Sequence, residues 1–152
     1  MINKSALLLV FAFMIAAPVW AQSEEAAVKA VIESLFDGMR AKNSSQIEAT
    51  FSENAIMQTI ETSGDIGMVK AGSVVDFIKG IGSLPAEMNL DERITDYKIN
   101  IDGPMATAWT PYEFYANNKF SHCGVNSFQL VKMAEGWKIV YIIDTRRKDG
   151  CN

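Results

Sequence analysis

Histidine is nearly absent from this chain of 152 residues, and cysteine is scarce: one His and two Cys. His122, Cys123 and Cys151 lack the Cys-x-x-Cys or paired-histidine spacing of a zinc site, so no resident metal is expected. An excess of positive charge is also missing. Lys and Arg total 14 against 18 Asp and Glu, for a net charge of −4. A nucleic-acid binder needs a basic surface, which excludes nucleic acid as a partner. Beyond residue 21 no apolar run approaches the roughly 20 residues of a membrane-spanning helix. No Gly-x-Ser-x-Gly nucleophile elbow occurs. Gly80-Ile81-Gly82 lacks the third glycine and the preceding strand of a dinucleotide loop, so no cofactor is expected. Repeats, low-complexity tracts and linkers are missing too, and the length suits one domain.

What is present begins with an export signal. Lys4 supplies a positive start, Ala6–Ala17 an apolar core, and Val19-Trp20-Ala21 small residues at the cleavage positions. Residues 1–21 therefore read as a signal peptide and residues 22–152 as the single mature domain. The protein is then secreted or periplasmic, and it meets a membrane only during export. No cysteine follows the apolar run, which argues against a lipid anchor. Cys123 and Cys151 both survive cleavage, and an oxidising compartment permits them to pair.

Glu24–Arg40 has the helical spacing Val28, Val31, Ile32, Leu35, Phe36, Met39, with Glu24 and Glu25 placed in its first turn. Ser45 and Glu48 form a capping-box pattern for a short helix carrying Ile47 and Phe51 and ending at Asn54. Ala55–Thr62 and Gly67–Ala71 read as strands around the turn Ser63-Gly64-Asp65. Ser73 with Asp76 starts another brief helix. Arg93–Ile101 reads as one strand. Pro104–Ala116, Lys119–Met133 and Trp137–Asp144 then form a meander joined at Asn117-Asn118 and at Ala134-Glu135-Gly136. Helices followed by an antiparallel meander define an α+β fold, with helices packed on one face of a curved sheet.

That order, together with Ala106-Thr107-Ala108-Trp109-Thr110-Pro111-Tyr112-Glu113-Phe114-Tyr115, Ser121-His122-Cys123-Gly124-Val125-Asn126, Phe128-Gln129-Leu130, Gly136-Trp137-Lys138-Ile139 and Asp144-Thr145-Arg146-Arg147, resembles the nuclear transport factor two-like superfamily. The closer likeness is to its exported bacterial branch labelled "putative lumazine-binding". The resemblance implies a cone of curved antiparallel sheet closed by N-terminal helices. The superfamily hosts isomerases, dehydratases, cyclases and non-catalytic binders on this one cone, so function must come from the site.

The candidate site lies in the meander. His122, Asn126, Phe128 and Leu130 share one strand face, and polar groups on a face aimed at the core need partners or a pocket. With Ala116 opposite Lys119, unbroken pairing sets Glu113 opposite His122 and Trp109 opposite Asn126. A three-residue second loop sets Asn126 opposite Asp144 and Cys123 opposite Arg147, which brings Cys151 within reach of Cys123 for a disulfide. The expected pocket therefore gathers Trp109, Glu113, His122, Asn126 and Asp144. His122 reads either as a general acid or base oriented by Glu113 or Asp144, or as a structural histidine. Asp144 reads either as a proton-abstracting base or as an ion-pair partner of Arg146 or Arg147. Trp109, Tyr112 and Tyr97 read as ligand-stacking rings or as core. Arg146-Arg147-Lys148 reads as a solvated chain end ahead of an anion site. The first functional reading is a non-catalytic, exported binder of a small organic ligand, apolar to aromatic with one or two polar groups. The others are a cofactor-free lyase or isomerase using His122 with Asp144 or Glu113, and a homodimeric interaction module.

Overall fold

The computed structural model describes residues 19–63 and 65–151. Residues 1–18, which carry most of the expected export signal, lie outside the described residues. Helix α1 spans Val19–Ala41, α2 Ser44–Glu48 and α3 Val74–Gly82. The strands are β1 Phe51–Ser63, β2 Ile66–Gly72, β3 Leu90–Ile94, β4 Lys98–Asp102, β5 Met105–Ala116, β6 Lys119–Met133 and β7 Gly136–Arg147. They form one sheet in the order β2-β1-β7-β6-β5-β3, with β4 also on β5. Every pairing is antiparallel except that of β1 with β7. The architecture is the expected α+β one, with N-terminal helices on a curved, unclosed sheet.

The apolar stripe of α1 covers the concave face. Val28, Ile32, Leu35, Phe36 and Met39 are buried there with Phe128, Leu130, Ile139 and Ile142. Phe36 meets Phe128 edge to face at 6.4 Å between centroids. Each large side chain fully buried here contributes about 1.5–3 kcal/mol. The helix starts earlier than the sequence reading places it, so Glu24 sits beyond the first turn. Glu24 instead accepts from Trp137 Nε1 at 2.9 Å and from Lys132 Nζ at 2.7 Å, which ties the start of α1 to the end of the sheet.

Three local expectations change. The cap of α2 is Asn43, whose side chain accepts from Gln46 N–H at 3.1 Å, and not the Ser45–Glu48 box. Phe51 already belongs to β1, which runs through Asn54. The expected strand Arg93–Ile101 is two strands, β3 and β4, both paired with β5. Pro111 of β5 has no N–H to offer a neighbour, and at its level the chain leaves the ladder. Thr95 keeps one backbone bond to the Pro111 carbonyl, at 2.9 Å. The Asn117-Asn118 turn forms as read, with both residues at positive φ.

Candidate functional site

Pairing of β5 with β6 starts as the sequence suggests, with Ala116 opposite Lys119, and then a β-bulge intervenes. Tyr115 pairs with Phe120, but Phe114 pairs with His122, so Ser121 is an extra residue. Every later partner moves by one. Glu113 faces Cys123, not His122, and Trp109 faces Ser127, not Asn126. A one-residue shift exchanges the faces of a strand. Ala106, Ala108, Thr110 and Tyr112 therefore point inward and are buried, whereas Trp109 is 50% exposed on the outer face. The small residues fit the inner face because Ala106 lies opposite Leu130 and Ala108 opposite Phe128.

The second hairpin reaches the expected register by a different route. Gly136 pairs with Met133, so the turn has two residues, and an irregularity between Gln129 and Leu130 restores the count. Asn126 lies opposite Asp144 and Cys123 opposite Arg147, as expected. Cys123 and Cys151 form the disulfide, with Cα atoms 5.8 Å apart.

A cavity of about 180 Å³ opens between the helices and the concave face. Leu35, Phe36 and Met39 of α1, Met57 of β1, Phe77 of α3 and Ile142 of β7 give it an apolar wall. Its polar end consists of Glu92, Asn126, Asp144 and Arg146, with Thr59 nearby. Asn126 is 4% exposed and donates to Glu92 Oε1 at 2.7 Å. Burial pushes the Glu92 carboxyl up to about 7. The Asn126 bond opposes that shift, Asp144 adds to it and Arg146 reduces it. Asp144 accepts from Arg146 Nε at 2.8 Å and from the Tyr112 hydroxyl at 3.3 Å. Tyr112 also donates to the Thr145 carbonyl at 3.0 Å, and burial holds its hydroxyl firmly protonated. Among the described residues, the hydroxyls of Thr59, in the wall, and of Thr110, opposite Asn126, are buried without a hydrogen-bond partner.

Of the five residues expected in a pocket, Asn126 and Asp144 line this cavity. Trp109 and Glu113 are on the other face, where Glu113 accepts from the Tyr115 hydroxyl at 2.9 Å. His122 is on the concave face but outside the cavity lining. Its ring stacks on Phe114 at 4.9 Å and meets Tyr112 edge-on at 5.8 Å. Its Nδ1 lies 3.1 Å from Ser121 Oγ, and this contact takes the place of the expected one to Glu113 or Asp144. Tyr112 pairs with Gly124, between His122 and Asn126 on β6. A Cβ on Gly124 would lie 2.9 Å from the Tyr112 ring and 1.8 Å from the Thr145 carbonyl oxygen, so glycine is what lets Tyr112 cross to β7. Asp144 takes its ion-pair reading, with Arg146.

Glu92 and Arg146 complete the polar end, and the sequence reading did not place them there. A signal for Glu92 was available: it shares strand parity with Leu90 and Ile94, so it is an acid in an apolar row. Arg146 shares parity with Ile142 and Asp144 on β7.

A curved sheet, helices over its concave face and a cavity between them define a nuclear transport factor two-like protein. The chain belongs to the family described as "Putative lumazine-binding", whose model matches residues 23–142. Among solved structures it is similar to a nuclear transport factor two-like protein with a cystatin-like fold from Novosphingobium aromaticivorans, at 12% identity and TM-score 0.69, covering 87% of this chain and 86% of that one. A protein of unknown function from Shewanella baltica shares 16% identity at TM-score 0.62, covering 88% of this chain and 100% of that one. A "putative dehydratase" of the same superfamily from Streptomyces avermitilis shares 9% identity at TM-score 0.64, covering 84% and 98%. At these identities the likeness carries the fold alone. Comparison with curated proteins finds no match.

Proposed function

We propose that this is an exported protein that binds a small, mainly apolar organic molecule in the cavity, with the polar part of the ligand against Glu92, Asn126 and Asp144. The observation that carries the reading is a cluster of hydrogen-bonding groups at one end of an apolar cavity. Pockets for small molecules combine apolar walls with a few fixed polar groups. About 180 Å³ suits a molecule of one or two rings. A module acting only by pairing with its own copy would need no such cavity. The family description supports a small ligand. Export is supported by Lys4, the Ala6–Ala17 run, the cleavage pattern at Ala21 and the Cys123–Cys151 bridge. Among the described residues no helix is long and apolar enough to cross a membrane.

The test is native mass spectrometry of protein purified without refolding, alone and with lumazine added as a probe. A bound molecule is expected, with affinity reduced about 5- to 150-fold by Asn126→Ala, the usual cost of about 1–3 kcal/mol for unpairing a buried polar group. Trp109→Ala leaves binding unchanged, because Trp109 is on the outer face. Spectra without adducts under both conditions overturn the reading.

A second reading, acid–base turnover of the bound molecule, has one observation in its favour. A carboxyl shifted to about 7 holds and releases a proton near neutral pH, as a general acid or base must. Its proton-transfer group is Glu92, with Asp144 and Tyr112 adjacent. The dehydratase description of the Streptomyces avermitilis protein is consistent with it. Conversion of the bound molecule, followed by NMR and abolished by Glu92→Gln, would favour turnover over binding.

A further inference from the structure

The basic run at the end of β7 is gathered into a cleft of its own. The cleft is about 390 Å³ and is lined by Ser121, His122, Arg146, Arg147 and Lys148. Three features of the fold build it. The bulge at Ser121 sets its hydroxyl beside the His122 ring, and Phe114 and Tyr112 hold that ring in place. The disulfide to Cys123 turns the tail back. Arg147 then donates to the Gly150 carbonyl from Nε at 3.5 Å and from a terminal nitrogen at 3.4 Å. Three cations thus share one small concavity in a chain whose net charge is −4.

The charges are poorly balanced. Arg146 is offset by Asp144 at 2.8 Å. Among the described residues Arg147 and Lys148 form no ion pair, and no carboxylate lines the cleft. Asp149, on the same turn, is exposed and not part of the lining. Like charges held together by a bridged tail repel one another, and an anion between them relieves that repulsion. The cleft also offers a hydroxyl and an imidazole to the oxygens of such an anion.

We propose that this cleft is a second binding site, for an oxyanion such as a phosphate or carboxylate group, with Arg147 and Lys148 supplying the charge and Ser121 and His122 the hydrogen-bonding groups. It stands apart from the cavity, whose lining it shares only at Arg146, and does not depend on what the cavity holds.

His122 is the one histidine of the chain, so its imidazole proton resonance is an unambiguous reporter. Burial, Arg146 and Lys148 hold its pKa below the usual value, against the opposing pull of Asp144. Inorganic phosphate, titrated at constant ionic strength with chloride as the control, is expected to raise the His122 midpoint saturably, by about half a pH unit. In the Arg147→Gln, Lys148→Gln double variant the apparent affinity falls at least about tenfold, the size expected on losing two charge-assisted contacts. Lys98→Gln, on β4, leaves it unchanged. Co-sedimentation with phosphatidylglycerol vesicles separates the sources of the anion. Sedimentation lost in the double variant assigns a lipid headgroup, and a phosphate response without sedimentation assigns a soluble oxyanion. A His122 midpoint that responds to phosphate no more than to chloride, together with no charge-dependent sedimentation, overturns the proposal.

Discussion

Replacing Glu92 by Gln should stabilise the folded protein, and only above the acid range. The carboxyl moves from an ordinary 4.5 to about 7 on folding, chiefly because burial penalises its charged form. Below about pH 4.5 the group is protonated in the folded and unfolded chains alike and contributes no pH dependence. Between about 4.5 and 7 the folded chain retains a proton that the unfolded chain has released, so stability falls as pH rises. Above about 7 both forms are ionised and the loss is complete. At about 1.36 kcal/mol per pH unit, the gap corresponds to about 3 kcal/mol. Glu92 keeps some contact with solvent, and screening reduces the figure to about 2 kcal/mol. Gln is neutral throughout and still accepts the Asn126 N–H, so it keeps the hydrogen bond and removes the charge. Denaturant unfolding of wild type and variant at pH 4, 6 and 8 provides the assay. The two should coincide near pH 4 and separate to about 2 kcal/mol in favour of Glu92→Gln at pH 8, or about 4–8 °C in Tm. Carboxylates that do not couple to Glu92 cancel in the difference. A variant no more stable than wild type at pH 8 would refute the reasoning, because it would mean that the Glu92 charge is solvated in the folded state.

Two further substitutions test how the sheet holds the site. Gly124→Ala forces a Cβ to within 1.8 Å of the Thr145 carbonyl oxygen, so β6 and β7 must separate there. The loss should be about 3 kcal/mol or more in urea unfolding, and a cost below about 1 kcal/mol would contradict the close approach. Replacing both Cys123 and Cys151 by Ser removes the bridge that closes the tail. Stability should fall by about 3–4 kcal/mol in the chain-entropy account, measured by denaturation, and thiol titration of unreduced wild type should find no free thiol.

The concave side of β5 was the least legible part of the sequence. Both parities of Met105–Ala116 carry apolar and aromatic residues, so alternation alone does not choose a face. The face then rests on the pair count back from the Asn117-Asn118 turn, and a single bulge at Ser121 defeats that count. Nothing in the composition around Ser121 announces a bulge. Glu92 lies outside the expected strand, which begins at Arg93, whereas β3 begins at Leu90. In the second hairpin the shorter turn and the later irregularity offset each other, which is why the pairing of Asn126 with Asp144 came out as read.

By itself the sequence determined the order of helices and strands apart from the division of β3 from β4, the apolar stripe of α1, the Asn117-Asn118 turn, the fold family and the inward orientation of Asn126. Those follow from local periodicity, from turn residues that tolerate positive φ, and from motifs contiguous in the chain. Only the tertiary structure decided which groups meet. It brought Glu92 from β3 to Asn126 on β6, set Tyr112 across Gly124 onto Asp144, kept His122 out of the cavity and turned Trp109 outward. The physical reason is that a side chain's face depends on the cumulative register of every pair before it, and one extra residue in a ladder leaves almost no mark on hydrophobic pattern while reversing everything beyond it.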